Sequence, residues 1–377
     1  MSTDALKTLF HPFESGVLPL PIEGTRILFL GAQPAFRLPE GFAGNTFLVQ
    51  GYRPDFLALE GQGRRVSPRV EGDGFDLALV LCGRHRGENE VRLAQAILRV
   101  KPGGLVVMAG DKTAGVAALR VRLEKNEDEI ASAISRRKRP TVVIETKDGE
   151  ILSGPRLSHP LKTTVPLGGH LSKHHGVVFW LHRTLEADAF AVAMKNWYGN
   201  WPLVDGRFTT APGMFSHDRI DPGSRLLAEA LPADLSGKIA DFCAGWGYLS
   251  AEVLARCPGI SSIDLYEADF SSLEAARRNL DGARIETRFF WKDLLAEPVE
   301  TRYDAIVMNP PFHRSRAAEP EIGQKLIAVA ANALVNRGTL FLVANRNLPY
   351  ERALTTSFSE FTQIAGDRAF KVFAARR

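Results

Sequence analysis

Asn309-Pro-Pro-Phe312 stands at the end of an apolar run, Tyr303-Asp-Ala-Ile-Val-Met308. Proline fixes its own φ and keeps the preceding residue out of the helical region, so the chain beyond this run is stiff. The stiffness preorganises the Asn309 side-chain carbonyl and the Pro310 backbone carbonyl as a pair of acceptors. Such a pair suits a planar amino group with two N–H donors, and Phe312 supplies a face on which a flat ring could stack. His313 follows and reads as an outer polar residue. Upstream lies a second set of groups. Lys238-Ile-Ala-Asp-Phe-Cys-Ala-Gly-Trp-Gly-Tyr-Leu-Ser250 reads as a strand, a glycine turn and the start of a helix. Gly245 and Gly247 let backbone approach a ligand closely and expose a helix N-terminus. Glu267 closes the next strand about 20–25 residues on, placed to accept hydrogen bonds from two ribose hydroxyls. Asp293 closes a third strand, where its carboxylate can accept from an adenine amino group.

A glycine turn alone is an ordinary connection, and Glu267 or Asp293 alone a solvated strand end. Successive strand ends that each carry a suitable group are a different matter, because open α/β sheets bind ligands outside the carboxyl ends of their strands. The elements needed to present these groups are legible. Arg26-Ile-Leu-Phe-Leu-Gly31, Phe75-Asp-Leu-Ala-Leu-Val-Leu81 and Leu105-Val-Val-Met-Ala109 are buried-strand runs in the first half, separated by helical stretches such as 88–100. That alternation predicts a parallel sheet with crossover helices. Residues 124–138 look helical, 141–175 read as a hairpin or irregular excursion, and Val177-Val-Phe-Trp-Leu181 as a further strand. The second half repeats the first. Tyr303–Met308 matches Phe75-Asp-Leu-Ala-Leu-Val80 position by position, residues 100–109 line up with 335–344, and 176–181 with 370–375. Two blocks in the same order imply a duplicated α/β domain, with the junction near the Trp/Tyr/Gly/Pro-rich stretch 196–212.

The 377 residues suit two domains of about 100–200 residues each. Hydrophobic residues at 45% and charged at 24% exclude a disordered chain. Cys82, Cys243 and Cys257 are too few and scattered for a disulfide framework or zinc cluster, so no metal is expected. No signal-like N-terminus or run of spanning length is seen, which predicts a soluble cytoplasmic protein without a membrane partner. The net charge of +4 permits a polyanion partner without requiring one.

Together these motifs resemble the class I S-adenosylmethionine-dependent methyltransferases that act on nitrogen, with Asn-Pro-Pro-(Phe/Tyr) the most specific mark. Ala211-Pro-Gly-Met-Phe-Ser-His-Asp-Arg-Ile-Asp-Pro-Gly-Ser-Arg-Leu-Leu227, Asn309-Pro-Pro-Phe-His313 and Gly366-Asp-Arg-Ala-Phe-Lys-Val-Phe373 are similar, more narrowly, to the RsmC/RlmG-type ribosomal RNA guanine methyltransferases. The likeness is sharp over residues 211–377 and architectural over the first half. It implies an α/β fold of two tandem Rossmann-like domains, each a seven-stranded mixed sheet with helices on both faces. Residues 1–195 would be a degenerate scaffold and RNA-docking copy, and 196–377 the catalytic copy. It also implies N(2)-methylation of a guanine, S-adenosyl-L-methionine as cofactor, ribosomal RNA or a ribosomal subunit as partner, and a monomer. Carried over by position, Asp241, Cys243, Gly245, Gly247, Glu267 and Asp293 would hold the cofactor. Phe215 and Ser216 would line the mouth near the methyl donor, and Asn309, Pro310 and Phe312 would hold the base.

One residue departs from the pattern. The family's turn reads Asp-x-Gly-x-Gly-x-Gly, and here Cys243 takes the first glycine position. An extended backbone would accept cysteine at little cost and is the expectation, whereas positive φ would strain it by ~1–3 kcal/mol. No paired base is evident, which argues against a nucleophilic role for Cys243. In the first copy Gly31-Ala-Gln-Pro34 and Cys82-Gly-Arg-His85 stand where the second has the glycine turn and Asn-Pro-Pro-Phe, so that copy should bind neither cofactor nor amine. Arg136-Arg137-Lys138-Arg139 is its candidate phosphate contact. Alternatives are methylation of DNA adenine or protein glutamine, which also use Asn-Pro-Pro-(Phe/Tyr), and a non-catalytic RNA-binding protein with a decayed cofactor site.

Overall fold

The computed structural model describes residues 3–125, 164–311 and 320–377. The chain divides into two compact units, Met1–Gln50 with Arg64–Asn200, and Gly51–Gly63 with Trp201–Arg377. Unit one holds α1 (Thr3–Glu14), β1 (Arg26–Leu30), β2 (Asn45–Val49), β3 (Val66–Ser67), β4 (Phe75–Leu81), α3 (Arg86–Arg99), β5 (Val100–Asp111), α4 (Val116–Glu124), β6 (Gly169–Lys173), β7 (Gly176–His182) and α5 (Leu185–Gly199). Unit two holds α2 (Arg53–Gly61), α6 (Pro222–Ala230), β8 (Ser236–Phe242), α7 (Tyr248–Arg256), β9 (Gly259–Glu267), α8 (Phe270–Asn279), β10 (Glu286–Trp291), β11 (Tyr303–Met308), α9 (Pro320–Ala333), β12 (Leu334–Asn345), α10 (Glu351–Ser357), β13 (Glu360–Gly366) and β14 (Phe370–Arg376).

Each unit is built on a seven-stranded sheet, ordered β3-β2-β1-β4-β5-β7-β6 in one and β10-β9-β8-β11-β12-β14-β13 in the other. The order is the same, and so is the mixture: five parallel strands, then two added by antiparallel pairing, so that only β7 and β14 run against the rest. Strands such as Ile306-Val-Met308 and Leu77-Ala-Leu-Val80 are buried throughout, as a sheet covered on both faces requires. In unit two one core face gathers Leu227, Leu249, Val253, Ile263, Leu265 and Val307, and the other Phe242, Tyr266, Ile306, Ile327, Leu340 and Leu342. The parallel ladders of β8 to β12 place the carboxyl ends of these strands along one edge of unit two.

The ladders correct the sequence alignment of the two halves in its middle block. Phe75 pairs with Val100 and Leu77 with Leu105 across a bulge, and Tyr303 pairs with Leu334 and Ala305 with Thr339 across the same bulge. Val100 is thus the counterpart of Leu334, not Val335, and the left-handed residues Gly103 (φ 75°) and Arg337 (φ 66°) fall together. Runs of apolar residues match at either offset, but only one offset keeps each side chain on its own sheet face. By the same registers Leu81, rather than Cys82, is the counterpart of Asn309.

The expected junction after residue 195 falls inside α5, whose Ala187, Phe190, Ala191 and Met194 are buried in the core of unit one. The division comes after Asn200 instead, and unit two also includes Gly51–Gly63. Of the stretch 141–175, β6 forms a hairpin with β7 through His174 and His175, both at positive φ as a two-residue turn demands. The helical expectation beyond residue 125, with Arg136–Arg139, lies outside the described residues. Among the described residues no helix is long and apolar enough to cross a membrane, and no cluster of three or more His, Cys, Asp or Glu could hold a metal.

Candidate active site

Strands β8 and β11 are neighbours, with Met308 beside Phe242, so Asn309 and Cys243 leave the sheet at the same level. Beyond Phe242 the chain turns through Cys243, Gly245 and Gly247 into α7, all three at positive φ. Cys243, at φ 61°, overturns the expectation of an extended backbone: the turn requires a left-handed residue there whatever its side chain. Burial, then the charges of Glu267, Asp241 and Asp293, hold its thiol well above the usual range, which keeps it protonated and unsuited to attack.

The two glycines do different work. A Cβ on Gly247 would sit 3.1 Å from the Ala276 Cβ, so this glycine lets the turn close against α8. A Cβ on Gly245 would meet nothing within 4 Å: its surroundings are open. Facing that opening, Glu267 Oε2 accepts from the Gly245 N–H at 2.8 Å and Oε1 from the Asp269 N–H at 2.8 Å. Buried Asp241 accepts through Oδ2 from the Ser250 hydroxyl (2.7 Å) and N–H (3.1 Å), while its Oδ1 has no hydrogen-bond partner. An open glycine cradle flanked by a ribose-height carboxylate and an orphaned buried oxygen fits S-adenosylmethionine. Asp293 turns the chain after β10, its Oδ1 accepting from the Leu295 N–H at 3.0 Å.

Electrostatics follow from burial. Desolvation pushes Asp241 up to about 7, against the Ser250 hydrogen bonds and with help from the Glu267 charge. Desolvation likewise pushes Glu267 up to about 7, although backbone N–H donors oppose it. Hydroxyl donors arriving at Glu267 would favour its ionised form.

The corner at Asn309 is more tightly specified than the sequence suggested. Asp221 caps α6, its Oδ2 accepting from the Ser224 N–H at 2.8 Å. The same Oδ2 accepts from Asn309 Nδ2 at 3.0 Å, and the Ser224 hydroxyl oxygen accepts from Nδ2 at 2.8 Å. Both N–H bonds of the Asn309 amide are thereby committed, which leaves its Oδ1 as the acceptor. Pro310 is buried beside it and Pro311 exposed. Phe312 and His313 lie outside the described residues.

The lead-in segment is tied to the turn. Trp246 Nε1 donates to the Phe215 carbonyl at 2.9 Å, with the Phe215 ring 53% exposed and Ser216 at φ 51° donating its hydroxyl to the Arg219 carbonyl. Asn279 of α8 donates to the carbonyls of Trp246 (2.8 Å) and Thr209 (3.0 Å). Phe215 and Ser216 are therefore held beside the glycine turn. Asp221, Ser224, Trp246 and Asn279 were not foreseen as site residues. Asp221-Pro-Gly-Ser224 did carry a signal, an N-cap followed by proline at the helix start, but nothing local shows that the cap also grips an asparagine 88 residues away.

The model of the methyltransferase small domain family matches residues 205–374. Ribosomal RNA small subunit methyltransferase C of Psychromonas ingrahamii is 26% identical over 304 residues, 80% of this chain and 75% of that protein. Its counterpart in Chromohalobacter salexigens is 38% identical over 168 residues, 44% of this chain and 49% of that protein, so this chain spans about half of that relative's length. The solved structure of the Thermus thermophilus 16S rRNA N2 G1207 methyltransferase RsmC, in complex with AdoMet and guanosine, superposes with a TM-score of 0.68 at 22% identity, covering 99% of this chain and 91% of that one, which shows a shared fold. Residues 205–374 thus match the methyltransferase small domain, and the chain is similar to the RsmC-type methyltransferases.

Proposed function

We propose that this protein transfers a methyl group from S-adenosylmethionine to the exocyclic amine of a guanine in ribosomal RNA. The observation that carries the reading is the Asn309 amide, whose two N–H bonds are consumed by Asp221 and Ser224 so that only its carbonyl remains to meet an incoming donor. The names of the relatives supply the nucleic acid and the base.

The cofactor would supply an electrophilic methyl on a sulfonium that leaves as a thioether. The protein's part is to overcome the weak nucleophilicity of an amine conjugated with its ring. Asn309 Oδ1 and the Pro310 carbonyl orient the two N–H bonds so that the nitrogen lone pair turns toward the methyl. They stabilise the positive charge that grows on nitrogen as the N–C bond forms and the S–C bond breaks. The proton is lost afterwards, so no strong base is required. Gly245, Glu267 and Asp293 hold the cofactor in register, and Phe215 closes the mouth.

The test is methyl transfer to ribosomal RNA, to assembled subunits, to DNA and to release factor, with mass mapping of the product. N(2)-methylguanine in ribosomal RNA supports the reading. Methylated adenine or glutamine replaces it, and absence of cofactor binding by calorimetry favours a decayed site. Docking of RNA by the first copy, through Arg136–Arg139, belongs to the same reading. Arg136→Glu with Arg139→Glu should lower RNA affinity and flatten its salt dependence, with cofactor binding unchanged. Removal of residues 1–195 is not a clean test, because it also removes Gly51–Gly63 from unit two. The same reading takes the protein to be a monomer acting in the cytoplasm, and sedimentation tests the former.

A further inference from the structure

Unit two contains one short piece of the first half of the sequence, Gly51–Gly63. That piece lies against the two strand ends carrying the cofactor carboxylates. Tyr52 bridges to Asp269 in antiparallel fashion, the Arg53 N–H donates to the Ala268 carbonyl at 2.8 Å, and the Phe270 N–H donates to the Gly51 carbonyl at 2.9 Å. Trp291 Nε1 is shared between the carbonyls of Ala268 (2.9 Å) and Gly51 (3.1 Å). Arg53 meets Glu297 through two bonds, Nε to Oε2 at 2.9 Å and Nη2 to Oε1 at 2.7 Å. That fork is a geometry lysine cannot reproduce. Glu297 Oε2 in turn accepts the N–H of Asp293 at 2.9 Å. The guanidinium lies 4.7 Å from the Trp291 ring centroid, and both charged side chains are only 19% exposed, so solvent screens the pair less than at an open surface.

We propose that Arg53 is a positioning residue for the adenine end of the cofactor site, acting through Glu297 to fix the turn that carries Asp293. Glu297 holds the Asp293 backbone only while its own carboxylate is anchored, and Arg53 is the anchor. Without it, Glu297 remains as a mobile negative charge beside Asp293, and the turn loses its orientation. The inference rests on reading Asp293 as the partner of the adenine amino group.

The experiment compares S-adenosylhomocysteine with its inosine counterpart, in which a carbonyl oxygen replaces that amino group, by calorimetry on full-length protein. Wild type should prefer the adenine compound by about tenfold, the worth of one charge-assisted hydrogen bond. Arg53→Ala should collapse that preference to about twofold by weakening the adenine compound alone, and Arg53→Lys should restore part of it. Glu297→Gln should resemble Arg53→Ala, and the two changes together should add little, as expected for residues acting in series. Turnover at saturating cofactor should stay within about twofold of wild type. If wild type does not discriminate between the compounds, the reading of Asp293 fails. If wild type discriminates and Arg53→Ala weakens both compounds equally, or neither while melting temperature falls, Arg53 is a structural anchor and the proposal is overturned.

Discussion

Beyond β8 the chain turns through Cys243, Ala244, Gly245 and Gly247; beyond β1 it turns through Gly31, Ala32, Gln33 and Ala35. The two turns share their first hydrogen bond, Ala244 N–H to the Tyr266 carbonyl in one and Ala32 N–H to the Val49 carbonyl in the other. What differs is where the polar groups go. Glu267 accepts from the glycine turn, whereas Gln50 at the matching place is buried and donates its amide to the Ala32 carbonyl at 2.7 Å. Asn309 is gripped from behind with its carbonyl left over, whereas its counterpart Leu81 presents only a backbone carbonyl that Arg92 covers at 2.8 Å. Arg92 Nη1 also lies 2.8 Å from where a Cβ on Gly31 would sit, and Asn89 spends its amide on Gly83 and Ala114. In unit one the positions matching the site are occupied by the unit's own side chains. Its sheet survives because ladder and core do not depend on the residues at the strand ends.

Exchanging residues between the copies tests that comparison. The largest effect should come from Asn309→Leu, the first-copy residue. It removes an acceptor that acts where charge develops, so turnover should fall about 10²–10³-fold while cofactor affinity holds. Loss of affinity in place of turnover would break the assignment. Gly245→Gln should weaken S-adenosylmethionine by roughly 10–100-fold, because its side chain occupies the open cradle, while the φ of 55° separately costs ~1–3 kcal/mol of stability.

Glu267→Gln should weaken the cofactor about tenfold, the worth of a charged hydrogen bond. It should also erase a pH dependence. In wild type, affinity should rise as pH passes upward through about 7, where Glu267 ionises. Stability of the ligand-free protein should run the other way in this respect. Asp241 and Glu267 have raised values in the folded state, so their contribution is full below the unfolded carboxylate value of about 4 and is lost as pH rises through about 7. Melting temperature and calorimetry measured from pH 5 to 8 check both signs. The smallest effect belongs to Cys243→Gly, which restores the glycine that Gly31 retains. Relief of left-handed strain and loss of a buried side chain nearly offset, so stability should change by less than about 1 kcal/mol with methyl transfer kept. Cys243→Val, β-branched at positive φ, should cost about 2 kcal/mol.

Much of this was legible before any coordinates. The duplication, the parallel sheet implied by βα alternation, and the glycine turn with Glu267, Asp293 and Asn309 at strand ends all followed from residue type and spacing. Those features are local: a strand end fixes where its next residue points, and proline fixes φ wherever it stands. Offsets between the copies were less secure. Leu-Val-Val-Met and Leu-Phe-Leu-Val look alike under either shift, so composition pairs Val100 with Val335 and cannot see a one-residue slip. The backbone of Cys243 departs from the extended expectation for a related reason, since a side chain states a preference and the turn imposes φ.

What the sequence by itself determined is therefore the chemistry on offer at each strand end and the class of fold that would line those ends up. Only the tertiary structure decided which groups remain available for a ligand. Asp221 spends one oxygen on both a helix cap and Asn309, Gln50 turns inward where Glu267 does not, and Arg53 crosses from the first half to steady Asp293 through Glu297. Each is a hydrogen bond between residues far apart in the chain. Its partner is chosen by packing distance, and no local pattern of residues encodes that.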